Sequence, residues 1–152
     1  MANAERPDTT APAIGGAEGN GVALDQHFTS ENLFALRSAV AAHGSELGLA
    51  GAALADLVLV AHELAANAVR HGGASSSVPG RLRLWRADGA VVCEVTDQGP
   101  GVADPSVGTE PVAVQAGSGR GIWIARKVAR TVTINTGPNG GAIVTVALAV
   151  PD

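Results

Sequence analysis

The feature that most constrains this sequence is an amphipathic helix predicted over residues 50–71. Apolar side chains recur in it every three or four residues, a spacing that places them on one face of a helix packed against a core. These side chains are Leu54, Leu57, Val58, Ala61, Leu64, Ala65 and Ala68. Two glycines, Gly72 and Gly73, then end the helix. The chain must therefore fold around a core that covers this apolar face.

A line of polar side chains runs through the same helix. Glu63, Asn67 and His71 are each four residues apart, so their side chains lie near one another along one side of the helix. A carboxylate beside an amide can hold a metal ion and a water, and it can equally form a solvated polar edge. This stretch alone leaves both interpretations open.

Length and composition predict one globular domain. The 152 residues suffice for one domain with a substantial core and are too few for two comfortable ones. Hydrophobic residues make up 46% and charged residues 16% of the chain, which is typical of a folded protein. The net charge of −4 argues against a general nucleic-acid binder, which presents a basic surface. Cys93 is the one cysteine, so neither a disulfide framework nor a cysteine metal cluster is expected.

The first 21 residues are predicted to be a flexible leader. They are rich in alanine, proline, glycine and threonine and lack the basic start and apolar middle of a signal peptide. No membrane span is expected, since Asp56, His62 and Glu63 interrupt the longest apolar segment. We therefore expect a cytoplasmic protein whose single domain occupies residues 22–152.

Helical and strand patterns follow one another along that domain in the order β, α, α, β, β, lid, α, β, β. The first helix is predicted to begin at Thr29 or Ser30, with Glu31 in its first turn. An Asp-Gly pair at positions 88 and 89 predicts a hairpin turn. The predicted strands cover residues 22–28, 81–86, 91–97, 131–136 and 142–150, and the predicted helices cover about 29–47, 50–71 and 122–129.

The order of these elements predicts an α+β fold. Residues 98–118 interrupt the order with glycines and prolines and no periodic pattern, so we expect a functional loop or lid there. Helices grouped against strands in this way predict a two-layer sandwich, in which helices cover one face of a mixed, mostly antiparallel sheet. Trp85 and Trp123 fall on apolar periodic positions and are expected in the core.

A second polar motif follows the strand over residues 91–97. Asp97 stands at the strand end, and Gly99 and Gly101 follow it at every second position. An aspartate at a strand end can accept a hydrogen bond from an exocyclic amine, and nearby glycines let a flat ring or a phosphate approach the backbone. So short a pattern also fits an ordinary turn.

A third motif precedes the short helix. Gly117, Gly119 and Gly121 alternate with other residues, and glycines before a helix expose backbone N–H groups that suit a phosphate. Arg120 can add a charge-assisted contact. The pattern lacks the Gly-Lys-Ser/Thr ending of a Walker A loop, and by itself it is weak evidence.

The three motifs together, in this order, resemble the Bergerat-fold (GHKL) ATP-binding domain over roughly residues 24–150. The stretch from Glu63 to Gly72, ELAANAVRHG, resembles the anti-sigma factor serine/threonine kinase branch of that superfamily. The stretch from Gly119 to Arg126, GRGIWIAR, does so too. No histidine-bearing dimerisation helix is expected before the domain, which favours this branch over a histidine kinase.

The resemblance implies a role for each motif residue. Asn67 would be the Mg²⁺ ligand, Glu63 the general base and Asp97 the acceptor for the adenine amine. His71 is expected to make a structural or lid contact. The remaining positions would line the base or the triphosphate, and they are Gly99, Gly101, Ser118, Gly119, Arg120 and Gly121.

The resemblance also implies a function. An ATP- and Mg²⁺-binding regulator of this branch would bind a sigma factor, phosphorylate a serine of an antagonist STAS-domain protein and commonly form a homodimer. Many members carry a threonine near the start of the last strand, whereas this chain has Ala142 there, and Thr145 falls too late. A catalytically inactive partner-binding module is therefore the alternative, and a sensor-kinase catalytic fragment is a third.

Overall fold

The computed structural model describes residues 21–70, 74, 78–98, 120–137 and 140–151. Eight helices and strands follow one another there in the predicted order. They are β1 (Leu24–Phe28), α1 (Leu33–Glu46), α2 (Gly51–Arg70), β2 (Gly80–Ala87), β3 (Ala90–Thr96), α3 (Arg120–Val128), β4 (Thr131–Thr136) and β5 (Ala142–Ala149). The predicted leader up to residue 20 and the predicted lid beyond Gln98 lie outside the described residues, so both stay predictions.

The five strands form one sheet in the order β1-β2-β3-β5-β4. Every pairing between the described strands is antiparallel, so the expected α+β sandwich is confirmed and its sheet is antiparallel rather than mixed. Asp88 and Gly89 close the β2–β3 hairpin with φ angles of 54° and 72°. Positive φ at both central residues is what a two-residue hairpin turn requires, and the Asp-Gly pair therefore forms the predicted turn.

The main core lies between the sheet and the three helices. Alternate side chains of β3, namely Val91, Cys93 and Val95, point to the helical side because successive strand residues face opposite ways. Helix α2 supplies the largest helical share of this core, with Leu57 and Val60 fully buried. Each such side chain contributes roughly 1.5–3 kcal/mol by leaving water. This burial fixes the rotation of α2 about its own axis.

A second, smaller apolar cluster lies on the opposite face of the sheet. Its buried residues all come from strands, and they are Trp85, Ala87, Ala90, Val92 and Ala147. Trp85 is 4% exposed and lies beneath the Arg83 guanidinium, 5.5 Å from the ring centroid. Trp85 is therefore buried as expected, although on the face away from the helices.

Trp123 does not reach the core as expected. Helix α3 buries Ile122 and Ala125 instead, which leaves Trp123 on its half-buried flank. The ammonium group of Lys127, one turn later, lies 5.4 Å from the centroid of the Trp123 ring. The apolar run alone could not show which side of so short a helix meets the sheet.

Helix α1 begins later than predicted. Its first residue is Leu33, because Asn32 stabilises a turn before the helix instead of Thr29 or Ser30 capping it. The Asn32 side-chain oxygen accepts a hydrogen bond from the Thr29 backbone N–H at 2.7 Å, and the Asn32 amide donates to the His27 carbonyl at 3.2 Å. Glu31 consequently precedes the helix and does not lie in its first turn.

Arginines pair with carboxylates on the sheet face away from the helices. Arg81 donates two hydrogen bonds to Asp25 of β1, at 2.8 and 2.6 Å, and Arg83 donates two to Glu94 of β3. The hydrogen bond from Arg81 lowers the pKa of Asp25 below its ordinary value. These pairs cross from strand to strand and hold the register of the first three strands.

Candidate nucleotide site

Helix α2 carries two of the predicted site residues one turn apart. Glu63 is 7% exposed, and Asn67 is half-buried. Both lie in the C-terminal half of the helix, beside the core residues Leu64 and Ala65 that anchor this segment. The packing of those neighbours therefore fixes the direction in which the carboxylate and the amide project.

The start of α3 lies directly against this part of α2. A Cβ atom built at Gly121 would stand 2.9 Å from the Glu63 Cβ and 3.1 Å from the Glu63 carbonyl carbon. It would also stand 3.3 Å from the Asn67 side-chain nitrogen. Only glycine allows so close an approach. The N-terminal end of α3, which carries the positive end of the helix dipole, is thus brought to Glu63 and Asn67.

Asp97 lies at the end of β3 on the helical side of the sheet. It continues the alternation of Val91, Cys93 and Val95, whose side chains enter the main core. The Asp97 N–H donates to the Ala142 carbonyl at 3.0 Å, and the Asp97 side-chain oxygen Oδ1 accepts a 3.3 Å hydrogen bond from the Ala142 N–H. The backbone of β5 therefore fixes both the position and the orientation of this carboxylate.

Asp97 and the C-terminal end of α2 belong to the same end of the domain. Helix α1 begins close to the end of β1, where the Asn32 amide donates to the His27 carbonyl, and Gly44 near its C-terminal end packs against the first half of α2. Helix α2 therefore runs back toward the end of β1, which pairs with the start of β2 at Gly80. Because β2 and β3 are antiparallel, the start of β2 adjoins the end of β3, where Arg81 pairs with Thr96. The structure thus gathers the helix-borne and sheet-borne candidates at one edge of the fold.

A glycine that the sequence motifs do not include supports Asp97. Gly141 has a φ of +76°, and a Cβ there would collide with the Asp97 carbonyl oxygen and stand 2.9 Å from the Gln98 Cα. The sequence signal for it is the Gly140-Gly141 pair before the last strand, and two glycines there predict no more than a turn. The close contact with Asp97 is a tertiary feature.

A second contact that sequence analysis missed involves Asn67 itself. The Arg70 guanidinium nitrogen Nη2 donates a 2.8 Å hydrogen bond to the Asn67 side-chain oxygen Oδ1. Residues three apart on a helix are surface neighbours, so the spacing of Asn67 and Arg70 was a readable signal. The oxygen that the resemblance assigns to Mg²⁺ is therefore already in contact with a cation.

Several predicted site residues lie outside the described residues, and their roles stay predictions. These are His71, Gly99, Gly101, Ser118 and Gly119. Arg120 is the first residue of α3, and only its backbone is described. The structure accordingly brings Glu63, Asn67 and Gly121 into contact and places Asp97 at the same edge of the domain.

The side chains present fit a magnesium ion held jointly with a nucleotide. Within the described part of the chain, no three histidine, cysteine, aspartate or glutamate residues are grouped to hold a metal ion. Mg²⁺ commonly takes one or two protein oxygens and completes its shell with water and phosphate oxygens. Asn67 supplies one such oxygen, and the exposed Arg70 guanidinium already reaches it.

Cys93 is not a candidate nucleophile. It lies fully buried in β3, and this burial raises the pKa of its thiol to about 12. A thiol that stays protonated is a poor nucleophile. Thr145 is excluded from the same edge of the site for a different reason, because its neighbours Val144 and Val146 enter the main core and Thr145 therefore points to the opposite face.

Helix α2 is long and apolar enough, by length and composition, to cross a membrane. Its buried side chains instead pack against the sheet of this domain, with Leu57, Val60 and Leu64 in the main core. A helix buried in the core of a globular domain passes the same test, and α2 packs in this way here.

The layered fold and this edge define a class of nucleotide-binding domain. An antiparallel sheet is covered on one face by helices, and a glycine in the first turn of one helix packs against a glutamate and an asparagine of the central helix. The family model of the histidine kinase-like ATPase domain matches residues 27–148, and the chain belongs to this family. The expected GHKL class is thereby confirmed, and ATP is the ligand that it implies. No curated protein matches the chain significantly.

Proposed function

We propose that this protein is an anti-sigma factor serine/threonine kinase. It binds ATP with Mg²⁺, binds a sigma factor, and transfers the γ-phosphoryl group to a serine of an antagonist STAS-domain protein. Family membership supports the ATP-binding part of this proposal. The sequences around Glu63 and Gly121, which resemble the anti-sigma kinase branch, support the rest.

The observation that carries the proposal is the contact of Gly121 with both Glu63 and Asn67. It packs the N-terminal end of α3 against the two α2 residues whose side chains carry a carboxylate and an amide. Phosphoryl transfer needs mainly positioning and neutralisation of charge, and a helix N-terminus with a metal-binding oxygen provides both. A carboxylate beside them can accept a proton from an incoming hydroxyl group.

In the proposed reaction, the serine oxygen of the antagonist forms a bond to the γ-phosphorus of ATP. The bond between that phosphorus and the oxygen bridging to the β-phosphate breaks, and ADP leaves. Glu63 accepts the serine proton, and Asp97 holds the adenine amine. Mg²⁺ bound at Asn67 would neutralise charge on the phosphate oxygens.

The test uses labelled ATP and candidate STAS-domain proteins. We expect transfer to a serine of the antagonist by the wild type, and a loss of about 100-fold or more in Glu63→Gln if Glu63 is the general base. Glu46→Gln is the matched control, since Glu46 is an exposed helical glutamate that pairs with His43 on α1. Equal transfer by Glu63→Gln and the wild type would defeat the proposed role of Glu63.

The second candidate is a catalytically inactive module of the same fold that holds a partner. The residue beside Asp97 favours this candidate. Many members of the branch have a threonine where this chain has Ala142, and Ala142 contacts Asp97 through its backbone. Thr145 cannot substitute, since it points to the opposite face. Calorimetry with Mg-ATP separates the candidates: binding without any transfer supports the module, and absence of binding defeats the kinase and a nucleotide-binding module alike.

We also propose that the protein acts in the cytoplasm, where sigma factors and their antagonists operate, and that it forms a homodimer. Size-exclusion chromatography with light scattering tests the second part. A mass near twice 15.1 kDa supports the dimer, and a monomeric mass at micromolar concentration contradicts it.

A further inference from the structure

The Asn67 side-chain oxygen is occupied by a neighbour on its own helix. Arg70, the last residue of α2, donates a hydrogen bond of 2.8 Å from Nη2 to Asn67 Oδ1. Arg70 is exposed, and it forms no ion pair with any carboxylate of the described residues. Its one described polar contact is therefore with the candidate metal ligand.

We propose that Arg70 competes with Mg²⁺ for the Asn67 oxygen, so that the nucleotide-free protein keeps its metal ligand blocked by its own cation. The inference rests on the proposed function, since it concerns the metal that would accompany ATP. It concerns regulation of the site: the metal has to displace a guanidinium group before Asn67 becomes available.

The two cations exclude each other on electrostatic grounds. Mg²⁺ binds oxygen at about 2.0–2.1 Å, and the guanidinium nitrogen stands 2.8 Å from the same atom. Two positive groups that converge on one neutral oxygen repel each other, and an amide oxygen offers no negative charge to offset that repulsion. The Asn67 side-chain oxygen therefore binds either Arg70 or the metal at a given time.

The geometry of α2 makes this competition local. Arg70 follows Asn67 by three positions, so the contact forms whenever this part of the helix is intact. Gly121 stands on the side of the Asn67 amide nitrogen, 3.3 Å from it as measured from a built Cβ. The two halves of the amide therefore face different partners, and the close approach of α3 holds the oxygen on the side of Arg70.

An exposed contact of this kind is weak enough to be displaced. Exposed charged contacts contribute little to stability, so removal of Arg70 should change the metal requirement by only about two- to fivefold. This is a modulation of the Mg²⁺ requirement under physiological ion concentrations and not an on-off switch.

The test is calorimetric titration of a non-hydrolysable ATP analogue across a series of Mg²⁺ concentrations and in EDTA. Arg70→Met removes the charge and keeps most of the side-chain length, and Arg70→Lys restores a cation. Arg130→Met is the matched control, because Arg130 is also exposed and donates to an oxygen, the Asp88 carbonyl, at the other end of β3.

We expect Arg70→Met to lower the Mg²⁺ concentration for half-maximal nucleotide affinity about two- to fivefold. Affinity in EDTA should stay at the wild-type value, and Arg130→Met should match the wild type throughout. The Mg²⁺ requirement of Arg70→Lys should lie between those of Arg70→Met and the wild type, since a lysine keeps the charge and loses the planar guanidinium group.

Two results overturn the inference while the proposed function survives. An unchanged Mg²⁺ requirement in Arg70→Met shows that the contact does not compete with the metal. An equal loss of nucleotide affinity with and without Mg²⁺ shows that Arg70 binds phosphate instead. If the wild type binds no nucleotide in either condition, the proposed function itself fails, and the inference fails with it.

Discussion

The two walls of the candidate site are held in different ways. On the helical wall, Gly121 of α3 packs against Glu63 and Asn67 of α2, and the contact depends on the missing side chain of a glycine. On the sheet wall, the Ala142 backbone makes one hydrogen bond to the Asp97 backbone and one to its side chain, and Gly141 approaches Asp97 closely. The helical wall is a packing contact between side chains and backbone, whereas the sheet wall continues the hydrogen bonds of the sheet.

This difference predicts different tolerances. A packing contact between helices can adjust by a small shift of one helix, because no hydrogen bond has to break. A backbone that already makes two hydrogen bonds cannot shift without losing them. We therefore expect the sheet wall to be the stiffer of the two, so that mutations that disturb its backbone affect stability first and nucleotide binding second.

The largest expected effect is that of Gly141→Ala. It combines a left-handed backbone, which costs an alanine about 1–2 kcal/mol, with a collision against the Asp97 carbonyl, for which overpacking costs of about 1–3 kcal/mol are typical. We expect a loss of about 3 kcal/mol in the free energy of unfolding, measured by urea denaturation.

The matched control for Gly141→Ala is Gly89→Ala. Gly89 also has a positive φ, +72°, but a Cβ there meets nothing within 4 Å. Gly89→Ala should therefore lower the free energy of unfolding only by the cost of the left-handed backbone, about 1–2 kcal/mol. Equal losses in the two variants would show that the collision with Asp97 is relieved without cost, and the sheet wall would then not be stiff.

Asp97→Asn should affect ligand binding more than folding. Hydrogen bonds to a charged group are worth about 1.5–3 kcal/mol, so ATP affinity should fall roughly 10- to 100-fold if Asp97 accepts the adenine amine. Calorimetry with ATP measures this, and Asp25→Asn is the control with the same change of charge on the opposite face of the sheet. If Asp97→Asn binds ATP with wild-type affinity, Asp97 does not bind the adenine.

Gly121→Ala tests the contribution of the helical wall independently of the sheet wall. The added methyl pushes α3 away from Glu63 and Asn67, and we expect a severalfold to tenfold loss of ATP affinity, equivalent to about 1 kcal/mol. Gly44→Ala is the control, because a Cβ there also meets a neighbouring helix, at the Leu57 and Leu54 side chains. If both variants lose equal affinity, the effect reflects general stability and not the wall.

The smallest expected effect lies outside both walls. Asp25→Asn removes the exposed ion pair with Arg81, and a pair of this kind contributes at most about 1 kcal/mol. Because the pKa of Asp25 is lowered in the folded protein, its contribution is present above the ordinary aspartate pKa and is lost as the pH falls through the folded value. Denaturation curves of Asp25→Asn and the wild type should therefore converge in acid.

Sequence patterns predicted the helical wall better than the sheet wall. The spacing of Glu63 and Asn67 is a local property of one helix, and it survives in the structure unchanged. The support of Asp97 by Gly141 depends on the pairing of β3 with β5, which joins residues far apart in the sequence. No local sequence pattern specifies that β3 pairs with β5, so this contact can be recognised only in the assembled sheet.

The same limit explains the smaller errors. Asn32 and Thr29 are both good helix-capping residues, and only tertiary contacts such as the one to the His27 carbonyl decide that Asn32 serves the preceding turn. Arg70 was readable as a neighbour of Asn67 from its position. Its preference for the Asn67 oxygen over solvent is a property of the folded surface.

The pairing of Asp97 with Ala142 has a consequence for how the protein persists in a cell. The two residues are 45 positions apart, so the sheet wall exists only in the completed fold and no partly folded segment can present it. A nucleotide that binds the native protein alone draws the folding equilibrium toward it, by about 2.7 kcal/mol when its concentration is 100 times the dissociation constant. We therefore expect bound nucleotide to lengthen the lifetime of the protein against proteolysis.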